Sequence, residues 1–204
     1  IGSGLVGSEM CIRDSCMAVR FTSRRQSIIM YSGTNQKKGM GNVLSRQGEA
    51  AYQYFLRGYN CSQSVVAAFA PQLGLTEELA LRLSSGFGAG IGRMREVCGA
   101  FCGVVTVISL VYADPADPQD KSRIYALVQE AAQMYRQRNG GDSIICRELL
   151  AKAGVQPTQG TQAQARTEGY YHKRPCPELC RICADLCVEF IAAHPEGRHM
   201  DWKE

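Results

Sequence analysis

The run from Val97 to Ala113 contains no charged residue, and the rest of the chain has to be arranged around it. It falls short of the roughly 20 apolar residues that span a bilayer, so burial inside a protein is the better reading. Val104, Val105, Val107 and Ile108 taken alone would suit a strand. Gly99, Ala100 and Gly103, with the length of the run, favour a close-packed helix over Cys98–Tyr112. A helix that is apolar on every side needs amphipathic neighbours to cover it.

The flanking sequence offers them. Ala50, Ala51, Tyr54 and Phe55 form a stripe that predicts a helix over 43–55, ended by Gly58. Asn60 suits the cap of a helix from Cys61 to Ala70, stopped near Pro71. Thr76 caps the next, with Glu77 and Glu78 in its first turn and Leu79, Leu81 and Leu83 behind. After a loop at Asp114–Pro118, Asp120 opens a long amphipathic helix to Arg138, closed by Asn139-Gly140-Gly141. A short helix from Cys146 to Ala153 and a last one from Cys176 to Ala193 flank a polar loop over 155–166. The expected fold class is all-α, a single-domain helical bundle around a buried central helix.

The domain is expected over 41–195, with 196–204 as a tail. Residues 1–40 are set aside as a sequencing artefact or a disordered segment, and Cys11 with them. Leu5–Ser15 resembles translated adapter read-through, and it lacks the basic start and apolar run of a signal peptide. Basic residues between Arg20 and Lys38 supply much of the formal net charge of +4. Without them the chain is nearly neutral, so no nucleic-acid partner is expected. No membrane span is expected either.

The chain has ten cysteines and no export signal, which points to a reducing, cytoplasmic setting where spaced cysteines serve metal or redox chemistry. Cys61, Cys98, Cys146 and Cys176 each stand where a helix is expected to begin. A helix N-terminus carries a partial positive charge and unpaired N–H groups, which favour thiolate. Four such thiols brought together would form a redox or metal site. Gly86, Gly88, Gly90 and Gly92 alternate just ahead of Cys98, in a spacing that is neither a dinucleotide fingerprint nor a P-loop. The segment reads either as a turn for close helix packing or as a loop whose N–H groups reach an anionic cluster. Gly99 and Ala100 leave room beside Cys98, so Cys98 is taken as reactive and Cys102, one turn on, as packing.

Cys176, Cys180, Cys183 and Cys187 fall within a narrow arc of the last helix. The first and last of these lie about 16 Å apart along the axis at a rise of about 1.5 Å per residue, so they cannot share one tetrahedral centre. Leu179, Leu186 and Phe190 flank the stripe, and the inner three thiols are read as small core residues; Cys180–Cys183 matches Cys-x-x-Cys, but mid-helix in an all-α chain it does not fit a thioredoxin-type motif. His172, His194 and His199 follow no metal-ligand spacing, though His172 stands close to Cys176. Arg147 and Glu148 are read as a surface or capping pair.

Five motifs in order carry a resemblance: Asn60-Cys61-Ser62-Gln63-Ser64; the glycine segment Gly86 to Arg93; Cys98-Gly99-Ala100 with Gly103; Cys146-Arg147-Glu148-Leu149-Leu150; and Cys176-Pro177. Together they resemble the C-GCAxxG-C-C family, small bacterial and archaeal proteins assigned a redox role. The resemblance implies an α-helical fold and four defining cysteines, matched here by Cys61, Cys98, Cys146 and Cys176. It also implies an iron–sulfur cluster, since a related domain of some cytochromes is associated with one. The backbone at Gly86, Gly88, Gly90, Gly92 and Gly99 would then surround the cluster. Cys102, Cys180 and Cys183 are further thiols. The expected function is electron transfer through a [2Fe–2S] cluster on those four cysteines, to an unknown redox partner, with a homodimer left open. A metal-free thiol–disulfide protein and a zinc-stabilised helical module are the alternatives. No motif defines a substrate.

Overall fold

Side chains that cap orphan N–H groups decide where several helices start. The computed structural model describes residues 45–199, so the expectations placed on 1–40 and 200–204 lie outside the described residues. Helix α1 (Arg46–Leu56) opens at Ser45, whose hydroxyl accepts from the Gly48 N–H at 2.8 Å. Helix α2 (Cys61–Ala68) opens with a full capping box, in which Asn60 and Gln63 each accept from the other's end of the first turn. Thr76 caps α3 (Glu77–Ser84), and a short 3₁₀ turn at Ser85–Phe87 follows. Then come α4 (Gly99–Tyr112), α5 (Lys121–Arg138), α6 (Cys146–Lys152), α7 (Glu168–Lys173) and α8 (Cys176–Ala193). The expected all-α class is what the chain adopts.

Helix α7 was not expected. It has six residues, too few for an apolar period to register, and the Thr167 hydroxyl starts it by accepting from Tyr170 N–H. Its aromatic rings hold it in place. Tyr171 meets Phe55 edge-on at 6.2 Å, and its hydroxyl donates to the Leu56 carbonyl at 3.1 Å.

The centre of the bundle is shared. Helix α4 buries Ala100, Val104, Val107, Ile108 and Val111 completely and packs against α2, α5 and α8. Helix α8 is equally central, because it packs against α1, α2, α4 and α5 and buries Leu179, Leu186, Phe190 and Ile191. Its cysteine stripe supplies small apolar volume: Cys180, Cys183 and Cys187 are at most 1 % exposed. At the far end, the His199 N–H donates to the Val111 carbonyl at 2.9 Å, and Arg123 reaches the Gly197 carbonyl at 3.3 Å. The start of the expected tail is thus tied to the ends of α4 and α5. No helix among the described residues is long and apolar enough to cross a membrane.

The described residues contain no strand, only an isolated antiparallel bridge between Val97 and Ile145. Cys98 N–H donates to the Ile144 carbonyl at 2.7 Å, and Cys146 N–H donates to the Glu96 carbonyl at 2.6 Å. The bridge binds the entry of α4 to the entry of α6.

Close packing of α4 on α2 is testable at Gly103. A Cβ there would lie 2.7 Å from Val65 Cβ and 3.3 Å from the Ser62 carbonyl oxygen. We expect Gly103→Ala to destabilise the fold by about 1–3 kcal/mol through overpacking, read as a lower urea midpoint.

Candidate functional site

Cys61, Cys98, Cys146 and Cys176 line one partly enclosed cavity of about 50 Å³. Each owes its place to a helix start. Cys61, Cys146 and Cys176 are the first residues of α2, α6 and α8, and Cys98 is the residue before α4. The bridge sets Cys98 and Cys146 side by side in the chain's architecture. Packing of α2 on α8 sets the other two, and the Cys180 thiol donates to the Cys61 carbonyl at 3.7 Å. Phe55, Tyr170, Leu149 and Leu179 make the apolar wall. Among the described residues, no three His, Cys, Asp or Glu side chains stand close enough together to hold one metal ion. The four sulfurs surround a space without converging on a point.

One side of that space is a turn of left-handed helix. Ala89, Gly90, Ile91, Gly92 and Arg93 have φ of 55°, 75°, 56°, 54° and 64°, and Arg95 follows at 65°. Each non-glycine residue in this region costs about 1–2 kcal/mol, and a β-branched residue such as Ile91 is the least suited to it. Bonds from Gly92 N–H to the Gly86 carbonyl at 2.8 Å and from Ile91 N–H to the Phe87 carbonyl at 3.1 Å close the turn. The Arg93 guanidinium then anchors it by donating to the carbonyls of Gln159 and Gly160, both at 3.1 Å. The result is an Ala89 N–H directed at Cys61 Sγ, 3.4 Å away.

The glycines divide accordingly. Gly88 packs against the Asn60 side chain, a Cβ on Gly90 would meet Cys146 Cβ at 2.7 Å, and one on Gly99 would meet Cys61 Sγ at 2.7 Å. Gly86 and Gly92 face open space, and the Gly92 N–H is spent inside the turn. The expected room beside Gly99 is filled by the Cys61 sulfur and the Phe87 carbonyl, because α2 crosses α4 there.

Burial overrides the helix ends. At Cys98, Cys146 and Cys176 desolvation outweighs the pull of a helix N-terminus toward thiolate. Desolvation, then the neighbouring Cys61 charge, pushes the Cys98 and Cys146 thiols up, and Cys176 is pushed up to about 12. Arg95 and Arg174 offset this in part at Cys146 and Cys176. Three guanidiniums, those of Arg95, Arg166 and Arg174, line the cavity together with the thiols. The sequence pointed to none of them, since isolated arginines in polar segments carry no pattern. Arg95 and Arg174 are buried, and Arg95 donates to the Thr158 carbonyl at 2.8 Å and points Nη1 at Cys146 Sγ, 4.0 Å away.

The remaining candidates lie apart from the cavity wall. Cys102 is half-buried, with its sulfur 3.9 Å from the Val97 carbonyl, and burial pushes it up to about 11. Cys180, Cys183 and Cys187 sit in the core. Cys98 Sγ also touches the hydroxyl of the buried Tyr135 at 3.4 Å, a contact that sequence reasoning missed. His172 is exposed beside Glu168, His194 stacks on Phe190, and His199 faces Arg123. Arg147 and Glu148 do not pair with each other. Arg147 bridges to Glu96 at 2.7 Å across the bridge, and Glu148 accepts from the Ser143 hydroxyl.

A family model described as "Putative redox-active protein (C_GCAxxG_C_C)" matches residues 59–190. The chain belongs to that family. The match spans all four cavity cysteines and the left-handed turn. Neither the curated proteins nor the solved structures compared with the chain gave a match.

The buried thiols of α8 make stability depend on pH. Burial raises Cys187 above its ordinary 9.0, so the folded chain keeps a proton that the unfolded chain loses as pH climbs past that value. The stabilisation is complete below pH 9.0 and declines above it. We expect the urea midpoint of reduced protein to fall as pH rises from about 9 to 11, and to fall less in Cys187→Ala.

Proposed function

We propose that Cys61, Cys98, Cys146 and Cys176 hold an iron–sulfur cluster, most simply [2Fe–2S], and that the protein passes electrons to a partner protein in the cytoplasm. The observation that carries this reading is the gathering of four thiols and three guanidiniums around one small cavity. Four cysteine thiolates are the usual complement of such a cluster, and a cluster so held is an anion. The cavity volume of about 50 Å³ favours the smallest cluster type.

When bound, the group supplies a one-electron couple. The chain's own residues supply the rest. Cys61 accepts a hydrogen bond from the Ala89 N–H, the kind of contact that raises the potential of a ligated sulfur. Arg95, Arg166 and Arg174 offset negative charge where water is scarce. Phe55, Leu149, Leu179 and Tyr170 keep solvent from the sulfurs.

The raised thiols weigh against the dithiol reading. An attacking cysteine works as thiolate and needs its pKa lowered, whereas burial raises Cys98, Cys146 and Cys176. A metal deprotonates its thiol ligands outright. A single zinc ion would draw four sulfurs to about 2.3 Å from one point, so the cavity walls would have to close in; a cluster brings its own volume.

Protein purified without oxygen is expected to be brown, with iron and acid-labile sulfide in similar amounts and reversible bleaching on reduction. Cys176→Ala should lose the iron and Cys183→Ala should keep it. Equal loss from both would overturn the ligand assignment. Colourless, iron-free protein that cycles a Cys61–Cys98 disulfide after anaerobic reconstitution would transfer the assignment to the thiol mechanism.

A further inference from the structure

Charge around the cavity does not balance. Arg95, Arg166 and Arg174 line it, no carboxylate does, and none of the three guanidiniums is in a salt bridge among the described residues. Two of them also share an aromatic partner. The Arg166 guanidinium lies 4.3 Å from the Phe55 ring centroid and 4.8 Å from that of Tyr170, and the Arg174 guanidinium lies 4.7 Å from the same Tyr170 ring. The ring faces attract both cations, but they leave in-plane N–H groups that need acceptors.

The acceptors do not suffice. Arg166 Nη2 donates to the Tyr59 carbonyl at 3.0 Å, but Arg166 Nη1 is buried with no hydrogen-bond partner. A buried donor without an acceptor costs about 1–3 kcal/mol, more when charged. Arg174 Nη2 is bonded to the Gln164 side chain, and Arg95 Nε to the Thr158 carbonyl at 2.8 Å, so both forks are fixed in orientation.

We propose that Arg166 and Arg174, backed by Arg95, form a binding site for a small inorganic anion on the wall of the thiol cavity. Guanidinium forks match the several oxygens of a trigonal or tetrahedral oxyanion, and the rings that hold them preset the geometry before binding. The space of about 50 Å³ has room for an anion of a few atoms. An anion seated there lies against Cys61, Cys98, Cys146 and Cys176, so it and a cluster would compete for the same cavity. This inference does not rest on the cluster, since the guanidiniums need a counter-charge whenever the cavity is free of one.

The test is calorimetric titration of the full chain, reduced and freed of metal by a chelator, with inorganic sulfate, sulfite and phosphate in turn. Saturable one-to-one binding of at least one of them is expected. Arg166→Gln and Arg174→Gln should each weaken it about tenfold, the loss of one charge-assisted pair of hydrogen bonds. Arg82→Gln, at an exposed Arg82–Glu78 pair, should leave it unchanged. If Arg174→Gln does not fold, the half-exposed Arg166 still carries the comparison. Absence of saturable binding by all three anions, equal affinity in Arg166→Gln and the unaltered chain, or an equal loss in Arg82→Gln would overturn the site. Iron content, measured separately, decides the cluster.

Discussion

Two main-chain hydrogen bonds, Cys98 N–H to Ile144 O and Cys146 N–H to Glu96 O, hold the site together. They form the Val97–Ile145 bridge, and they join segments that lie far apart in the chain. Because each bond involves a cysteine's own backbone, the bridge fixes the two thiols relative to each other more tightly than side-chain packing would. The next bond along, from Arg147 N–H to the Arg95 carbonyl at 3.2 Å, brings Arg95 to the same place. The rest of the cavity is assembled on that frame, with α2 and α8 supplying Cys61 and Cys176.

Competing electrostatic effects meet at the thiols, and their sizes decide the outcome. A helix N-terminus is worth about 0.3–1 kcal/mol to a nearby negative charge at the surface, whereas complete burial can move a pKa by several units. Desolvation wins at Cys98, Cys146 and Cys176, whose thiols stand beside cationic guanidiniums. Membership of a redox-active cysteine family gives this arrangement its chemical context.

The left-handed turn shows what the fold spends to close the cavity. Ala89, Ile91 and Arg93 hold a backbone form that glycine alone adopts without strain. The polar segment between α6 and α7 carries the compensation. Thr158, Gln159 and Gly160 accept from Arg93 and Arg95, and Gln159 donates to the Met94 carbonyl at 3.0 Å. A stretch that reads as featureless loop is therefore a strap across the turn. Most of its acceptors are main-chain carbonyls, to which the Thr158 hydroxyl adds one and the Gln159 amide a donor.

The sequence by itself determined the helical class, most helix starts and the four cysteines at those starts. Each rests on neighbours within about one turn: Asn60 with Gln63, Thr76 with Leu79, the apolar stripe of α1. Among the α-helices of the described residues only α7 escaped, being shorter than the period that reveals a helix. Tertiary structure alone decided the rest. Arg95 meets Cys146 across 51 residues and Thr158 across 63, and Arg166 meets Tyr59 across 107. No local propensity encodes such contacts. They arise when burial of α4 and α8 brings distant segments together, and only then do three scattered arginines become the walls of one charged cavity.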